Sequence, residues 1–145
     1  MTYEEWEAAV PADIRADSLW RVEAYRLSLF LCDLAFEDSQ YLVADPRTRS
    51  IADQLVRAVG RISANVAEGY SRATGKSRAL YYDYALGSTR EARDWYYKSR
   101  HVLPPQVPSH RLGLSSSIIR LLLTMAQHER ATNRKIIPRK GRTKV

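Results

Sequence analysis

The sequence predicts an all-α fold, an antiparallel up-down-up-down four-helix bundle followed by a basic, disordered C-terminal tail. Four segments of about 20 residues or more repeat apolar residues at spacings of three and four. No segment shows the alternation of a strand. The connections are short, which favours antiparallel neighbours. We divide the chain into an acidic N-terminal extension (residues 1–16), the bundle (17–132) and the tail (133–145).

The first long helix is predicted over residues 18–38, after an extension in which TYEEWEAAV allows a short helix ended by Pro11. Asp17 or Ser18 is a suitable N-cap. Pro46 requires a break before the second helix. The apolar stripe of the first helix consists of Trp20, Ala24, Leu27, Leu31 and Leu34.

The second and fourth helices have the most regular stripes, over residues 47–69 and 108–132. Gly69 is interpreted as the C-terminal stop of the second helix. The second stripe consists of Ile51, Leu55, Val59, Ile62 and Val66, and the fourth of Leu112, Ser115, Ile119, Leu122 and Ala126. The tail is expected to be disordered, because it buries too little to offset the entropy of ordering.

The third helix is predicted over residues 77–102 and is rich in tyrosine and arginine. Its inward stripe is predicted to hold Leu80, Tyr84, Gly87, Ser88, Glu91, Trp95 and Val102. Its outward face is predicted to hold Tyr82, Leu86, Arg93, Tyr96, Tyr97 and Arg100. Three interpretations of that face stay open: a subunit interface, a surface on which bases stack, or scattered surface aromatics.

A polar cluster is predicted between the second and third helices, formed by Asn65, Glu68, Ser88 and Glu91. A carboxylate on an apolar stripe requires a partner, and small residues such as Gly87 would let the two backbones approach. The cluster would fix the register of the helices. A role in partner binding, or an acid/base pair of Glu68 and Glu91, are the alternatives.

The same residues carry a family resemblance. SANVAEGY at residues 63–70, followed by YALGSTRE at 84–91, resembles the bacterial four-helix-bundle proteins encoded in intervening sequences of large-subunit ribosomal RNA genes. These are distantly similar to the accessory variability protein of diversity-generating retroelements. The shared positions are Asn65, Ala67, Glu68, Gly69, Ala85, Leu86, Gly87, Ser88 and Glu91.

The resemblance implies a homopentameric ring, and by way of the retroelement relatives it implies binding of nucleic acid and a reverse transcriptase through basic surfaces. One departure lies in the turn before the third helix. Family members tend to have lysine-glutamate-phenylalanine there, whereas this chain has Lys76-Ser77-Arg78. This difference affects the identity of the partner more than the fold.

Charge is distributed unevenly along the chain, whose formal net charge is +7. Residues 1–45 hold ten acids and three bases, residues 46–129 six acids and thirteen bases, and residues 130–145 seven bases and no acid. Such asymmetry favours one of two interactions. The first is binding of a polyanion, RNA or DNA, without sequence specificity, and the second is self-association through opposite charges. The residues expected to contact nucleic acid or a second subunit are Arg61, Arg72, Lys76, Arg78, Arg90, Arg93, Tyr97, Arg100, Arg134, Lys135, Arg139 and Lys140.

Several other functions are not expected. Cys32 is the only cysteine, so there is no intrachain disulfide, and one unpaired thiol favours the cytoplasm. The three histidines lack metal-ligand spacing, there is no phosphate-binding glycine loop, and no cofactor is implied. No apolar run is long enough for a membrane span, and the first residues do not read as a secretory signal. We therefore expect a noncatalytic binding protein, with a purely structural or protein-interaction module as the alternative.

Overall fold

A computed structural model describes residues 1–136, with side chains to residue 132, and within this range the chain is helical without a strand. The elements are α1 (Tyr3–Ala9), α2 (Ala12–Arg15), a 3₁₀ helix (Ser18–Arg21), α3 (Glu23–Ala44), α4 (Arg49–Tyr70), α5 (Gly75–Lys98) and α6 (Gln106–Ile136). The all-helical prediction is confirmed. Of the predicted tail, α6 continues to Ile136, and residues 137–145 lie outside the described residues.

The first long helix is shifted along the chain from its predicted bounds. The carboxylate of Asp17 accepts a hydrogen bond of 2.9 Å from the backbone N–H of Leu19, which caps the 3₁₀ helix and delays the start of α3 to Glu23. At the other end α3 continues six residues past Asp38, because Leu42 is fully buried. Extended backbone at the residue before Pro46 then ends the helix.

The remaining helices follow the sequence signals more closely. Thr74 caps α5 by accepting a hydrogen bond of 3.2 Å from the backbone N–H of Ser77. The helix ends at Lys98 rather than at residue 102. Because α6 begins at Gln106, Pro108 falls in its first turn, where the missing N–H has no helical partner to lose.

The core lies among the four long helices. Both α3 and α5 pack against α4 and against α6. The stripes predicted for α4 and α6 are largely buried, as are Leu31 and Leu42 of α3. Among the largest fully buried side chains are Leu31, Leu42, Leu55, Ile62, Tyr96, Ile118 and Leu122.

The N-terminal extension covers part of α3. The indole Nε1 of Trp6 donates a 2.7 Å hydrogen bond to Oδ2 of Asp33, and its ring packs against Trp20 and Phe30. Burial of Trp6, Phe30 and Leu34 forms a second, smaller apolar cluster beside the main core. Tyr3 also contacts α3, since its ring lies 5.5 Å from that of Phe30, and the extension is therefore docked on the bundle through two aromatic residues.

The predicted inward face of α5 is wrong by part of a turn. Leu80 and Tyr84 are exposed, whereas Tyr82 and Tyr96, predicted on the outside, are buried. The side of α5 that packs inward carries small residues before and between its two buried tyrosines, namely Ala79, Ala85, Ser88, Thr89 and Ala92. Among residues 1–136, none of the helices combines the length and the apolar character that a bilayer span requires.

Candidate nucleic-acid interface

A buried ion pair fixes α6 against α3. The guanidinium of Arg111 donates through Nε to Oδ2 of Asp38 at 2.7 Å and through Nη2 to Oδ1 at 3.1 Å. The hydroxyl of Tyr96 on α5 donates to the same Oδ2 at 2.8 Å. Burial, and then the neighbouring Asp38 carboxylate, raise the pKa of Tyr96, so the hydroxyl stays protonated and donates. Three helices thus meet at one carboxylate.

The polar cluster predicted between α4 and α5 does not form, because the register of α5 differs from the prediction. Across residues 1–132, no hydrogen bond joins any two of Asn65, Glu68, Ser88 and Glu91. Asn65 donates to the carbonyl of Arg61 in its own helix, and Glu68 pairs with Arg72 one turn later. Ser88 is buried.

Glu91 instead forms a partly exposed bridge between α4 and α5. Its side chain is 38% exposed, and Oε2 lies 3.5 Å from Nη1 of Arg61. The indole of Trp95 donates to the other oxygen at 3.3 Å. Glu91 therefore lies at the margin of the helix contact. The acid that is buried between helices is Asp38, and not Glu91 as predicted.

The close approach of α4 and α5 occurs at Gly69 and not at Gly87. A methyl group added at Gly69 would lie 2.9 Å from Cβ of Tyr81 and 2.9 Å from Cε1 of Tyr82. One added at Gly87 would meet no atom within 4 Å. No described glycine has a positive φ, and α4 continues to Tyr70, so the interpretation of Gly69 as a helix stop is wrong. Gly69 is required by packing.

Ion pairs divide the described chain into two electrostatic regions. From Asp38 onward every carboxylate forms an ion pair, eight pairs in all. Before Asp38, none pairs with a base among residues 1–132. These eight unpaired acids are Glu4, Glu5, Glu7, Asp13, Asp17, Glu23, Asp33 and Glu37. Negative charge is therefore uncompensated near the extension and along most of α3, while positive charge elsewhere is partly neutralised.

Three of the predicted contact residues are neutralised in this way. Arg61 pairs with Glu91, and Arg72 pairs with Glu68 at 2.5 Å while its guanidinium lies 4.5 Å from the centre of the Tyr81 ring. Arg78 pairs with Glu129 at 2.8 Å, with both side chains mostly buried. These arginines stabilise helix contacts, and a phosphate would compete with a carboxylate that already lies beside each of them.

Lys76 is exposed and lies on a separate concavity at the start of α5. This space of about 540 Å³ also contacts Leu80 and Arg130, and Arg130 forms an ion pair with Asp83. Its walls are mostly apolar. For Arg134, Lys135, Arg139 and Lys140, the predicted contacts of the tail, the side chains lie outside the described residues.

The structure brings together Arg90, Arg93 and Tyr97 in a groove between α5 and α6. The groove encloses about 440 Å³ and is lined by Arg90, Arg93, Asp94, Tyr97 and Leu112. Asp94 forms an ion pair with Lys98 at 2.6 Å, whereas Arg90 and Arg93 pair with no carboxylate of residues 1–132. Nη1 of Arg93 lies 3.4 Å from Oγ of Ser116 on α6.

Tyr97 lines this groove, and Arg100 lies against it in the turn after α5. Tyr97 is 52% exposed, and Cζ of Arg100 lies 4.0 Å from the centroid of its ring. Arg100 also donates to the carbonyl of Tyr97 at 2.9 Å. The guanidinium is therefore held over the ring by two contacts, without an acidic partner in the described chain.

Sequence reasoning missed two features of the site. Arg120, exposed on α6, follows Ser116 by four residues and so lies on the same face of the helix, adding a fourth unpaired arginine. Asp38 and Arg111 are 73 residues apart in sequence, and no local pattern links them. The inward position of Asp38, one turn after Leu34 on the stripe of the first helix, was the available signal.

Other chemistry finds little support in the described residues. No group of three or more histidine, cysteine, aspartate or glutamate side chains among them is arranged to hold a metal ion. Burial, and then Asp33, raise the pKa of the Cys32 thiol, which disfavours the nucleophilic thiolate. Burial, and then Arg111, lower the pKa of His110.

Comparison with known proteins agrees with the helical architecture. A crystal structure of a protein of unknown function from the S23 ribosomal protein family of Bacteroides thetaiotaomicron VPI-5482 superposes with a TM-score of 0.66 at 17% identity. The match covers 72% of this chain and 98% of the other. No curated protein matches. The family model of the 23S rRNA-intervening sequence protein matches residues 21–103, from the end of the 3₁₀ helix through α5. The chain therefore belongs to the 23S rRNA-intervening sequence protein family.

Proposed function

We propose that this protein is a noncatalytic, oligomeric helical bundle that binds nucleic acid along the α5–α6 groove. The observation that carries the proposal is that four arginines on or next to α5 and α6 have no carboxylate partner in residues 1–132: Arg90, Arg93, Arg100 and Arg120. Guanidinium groups bind phosphate oxygens in a bidentate manner. Lacking a carboxylate partner, these four arginines would lose no ion pair when they bind phosphate.

The proposed arrangement is an antiparallel up-down-up-down four-helix bundle. Connections of four to seven residues between the long helices support it. So does the pairing of Arg78, at the start of α5, with Glu129, near the end of α6, together with the contact of Arg93 with Ser116 in the middle of both helices. In such a bundle the α5–α6 groove runs along one side of the molecule.

The proposal is tested by binding of labelled RNA and DNA over a range of salt concentrations. When binding neutralises phosphates, the logarithm of the binding constant falls linearly with the logarithm of the salt concentration. Replacing Arg90, Arg93 and Arg100 together by glutamine is expected to lower the salt slope by about 2, because each lost phosphate contact to a single strand removes roughly 0.7. Circular dichroism should show an unchanged fold, since all three side chains are at least partly exposed.

Arg57 provides the matched control. It is exposed on α4 and already pairs with Asp53 at 3.1 Å, so Arg57→Gln should leave the salt slope unchanged. Binding that is absent at low salt, or a slope equally insensitive to all of these changes, would contradict the proposal. Deleting residues 133–145 is expected to weaken binding further, because six of its residues are basic and none is acidic.

A second function, self-assembly alone, is favoured by the eight unpaired acids before Asp38. An acidic surface on one subunit and unpaired arginines on another are complementary, and a head-to-tail contact of this kind closes into a ring if its rotation permits. The resemblance described above adds a pentamer as the expected size. If self-assembly is the function, Arg93→Glu would reduce the native mass of the oligomer, and added nucleic acid would leave that mass unchanged.

Three narrower expectations belong to the same proposal. The likeness to the accessory variability protein makes a reverse transcriptase the expected protein partner, which copurification from a host with a neighbouring reverse transcriptase gene would test. We propose no catalytic role for Glu68 and Glu91, because each is engaged by an arginine. The cytoplasm remains the expected location because of the single unpaired cysteine.

A further inference from the structure

We infer that the α5–α6 groove selects single-stranded over double-stranded nucleic acid, through a base that stacks on Tyr97. This inference rests on the proposed function and specifies its substrate class. It depends on the orientation of one ring, its exposure, and the spacing of the arginines that flank it.

The ring of Tyr97 is available on one side only. Arg100 lies over one face at 4.0 Å, and the ring also lines the groove while half of its surface stays exposed. A planar group that enters the groove therefore meets the open face and completes a stack of base, tyrosine and guanidinium. Cation–π contact with Arg100 holds the ring in place before the base arrives, so less ordering is required on binding.

The arginines set the path of the strand. Arg90 and Arg93 lie three residues apart on α5, and Tyr97 follows four residues later on the same face. Arg100 lies in the turn after α5, where its guanidinium contacts the Tyr97 ring. At 1.5 Å per residue, the segment from Arg90 to Tyr97 spans about 10 Å. This length accommodates a short stretch of extended strand, with phosphates on the arginines and one base turned towards Tyr97.

A duplex cannot use this ring. Its bases are stacked on one another and paired, so only phosphates are presented to the groove, and the contact with Tyr97 is lost. Stacking on an aromatic side chain changes affinity by about 5- to 100-fold per base. Because every base has a π-face, the selection is for unpaired strands and not for sequence.

The experiment measures fluorescence anisotropy of the full chain with short oligothymidine and oligouridine strands, and with DNA and RNA duplexes of the same length. The expected result is tighter binding of the single strands. Tyr97→Ala should weaken that binding by about 5- to 100-fold and weaken duplex binding much less, because a duplex loses only the positioning of Arg100 by the ring. Tyr97→Phe keeps the ring and should retain most of the affinity.

Tyr84→Ala is the control, because Tyr84 lies on the same helix and is 50% exposed, but projects from a different side, thirteen residues away. Duplexes that bind as tightly as single strands, or a Tyr97→Ala protein no weaker than the Tyr84→Ala protein, would overturn the inference while leaving the proposed function intact. Absence of binding to every nucleic acid would overturn both.

Discussion

Removal of the Asp38 carboxylate should strongly destabilise the described fold. The Asp38 and Arg111 side chains are 5% and 12% exposed, so neither charge can regain water in the folded state. Asp38→Leu leaves the guanidinium of Arg111 without its two oxygen acceptors and Tyr96 without its acceptor. Breaking a buried pair from one side costs about 3–5 kcal/mol.

Urea unfolding followed by circular dichroism measures this loss. With a slope of roughly 2 kcal/mol per molar urea, the midpoint should fall by about 1.5–2.5 M. Total stabilities are about 5–15 kcal/mol, so the variant retains a measurable transition only if the parent lies in the upper part of that range. Raising the parent's stability with an osmolyte keeps the comparison possible.

Two further proteins test the reasoning. Asp53→Leu removes one partner of an exposed pair within α4 and should cost less than about 1 kcal/mol. The double variant Asp38→Leu with Arg111→Met removes both buried charges and should recover most of the loss, with a coupling energy of about 3 kcal/mol. Equal effects of Asp38→Leu and Asp53→Leu, or strict additivity in the double variant, would refute the argument.

Three other changes test the remaining contacts. Gly69→Ala should destabilise the protein by about 1–3 kcal/mol, because the added methyl group would overlap the α5 tyrosines. Gly60→Ala, where an added methyl group meets no atom within 4 Å, should be neutral or stabilising, and thermal unfolding compares the two variants. Because the pKa of Tyr96 is raised in the folded state, its contribution to the free energy of unfolding is complete below pH 10 and is lost as the pH rises further. Tyr96→Phe should therefore reduce the alkaline decline in the free energy of unfolding by about 1.4 kcal/mol per pH unit, and an unchanged decline would count against this assignment. Trp6→Ala should free the extension from Asp33 and speed limited proteolysis within residues 1–20, with the rest of the chain as resistant as before.

The regular stripes of α4 and α6 could be predicted because their apolar residues recur at one spacing and their outer faces are polar. The orientation of α5 could not be predicted in the same way. Tyrosines and leucines occur on all sides of this helix, so hydrophobicity alone does not choose a face. The choice is made by Tyr96, whose hydroxyl has a partner in the core only because Asp38 lies opposite it on another helix.

Part of the candidate interface was predictable for a similar reason, and part was not. Arg90, Arg93, Tyr97 and Arg100 share a face through their spacing, which is a local property. Whether an arginine is available depends on acids far away in sequence: Arg78 is neutralised by Glu129 and Arg61 by Glu91. Long-range pairs removed Arg61 and Arg78, a pair with Glu68 four residues away removed Arg72, and Arg120 was left to be found from the structure.

Charge is distributed asymmetrically over the described chain, because the unpaired acids before Asp38 outnumber the arginines there, whereas every later acid is paired and several later arginines are not. The unpaired acids lie on the extension and α3, and the unpaired arginines of the candidate interface lie on or next to α5 and α6. A polyanion would repel the unpaired acids and attract the unpaired arginines during diffusional encounter, so collisions would be biased towards the competent orientation before any contact is made. Orientation of the protein in the electric field of the polyanion would raise the association rate most strongly at low salt concentration, without changing the dissociation rate.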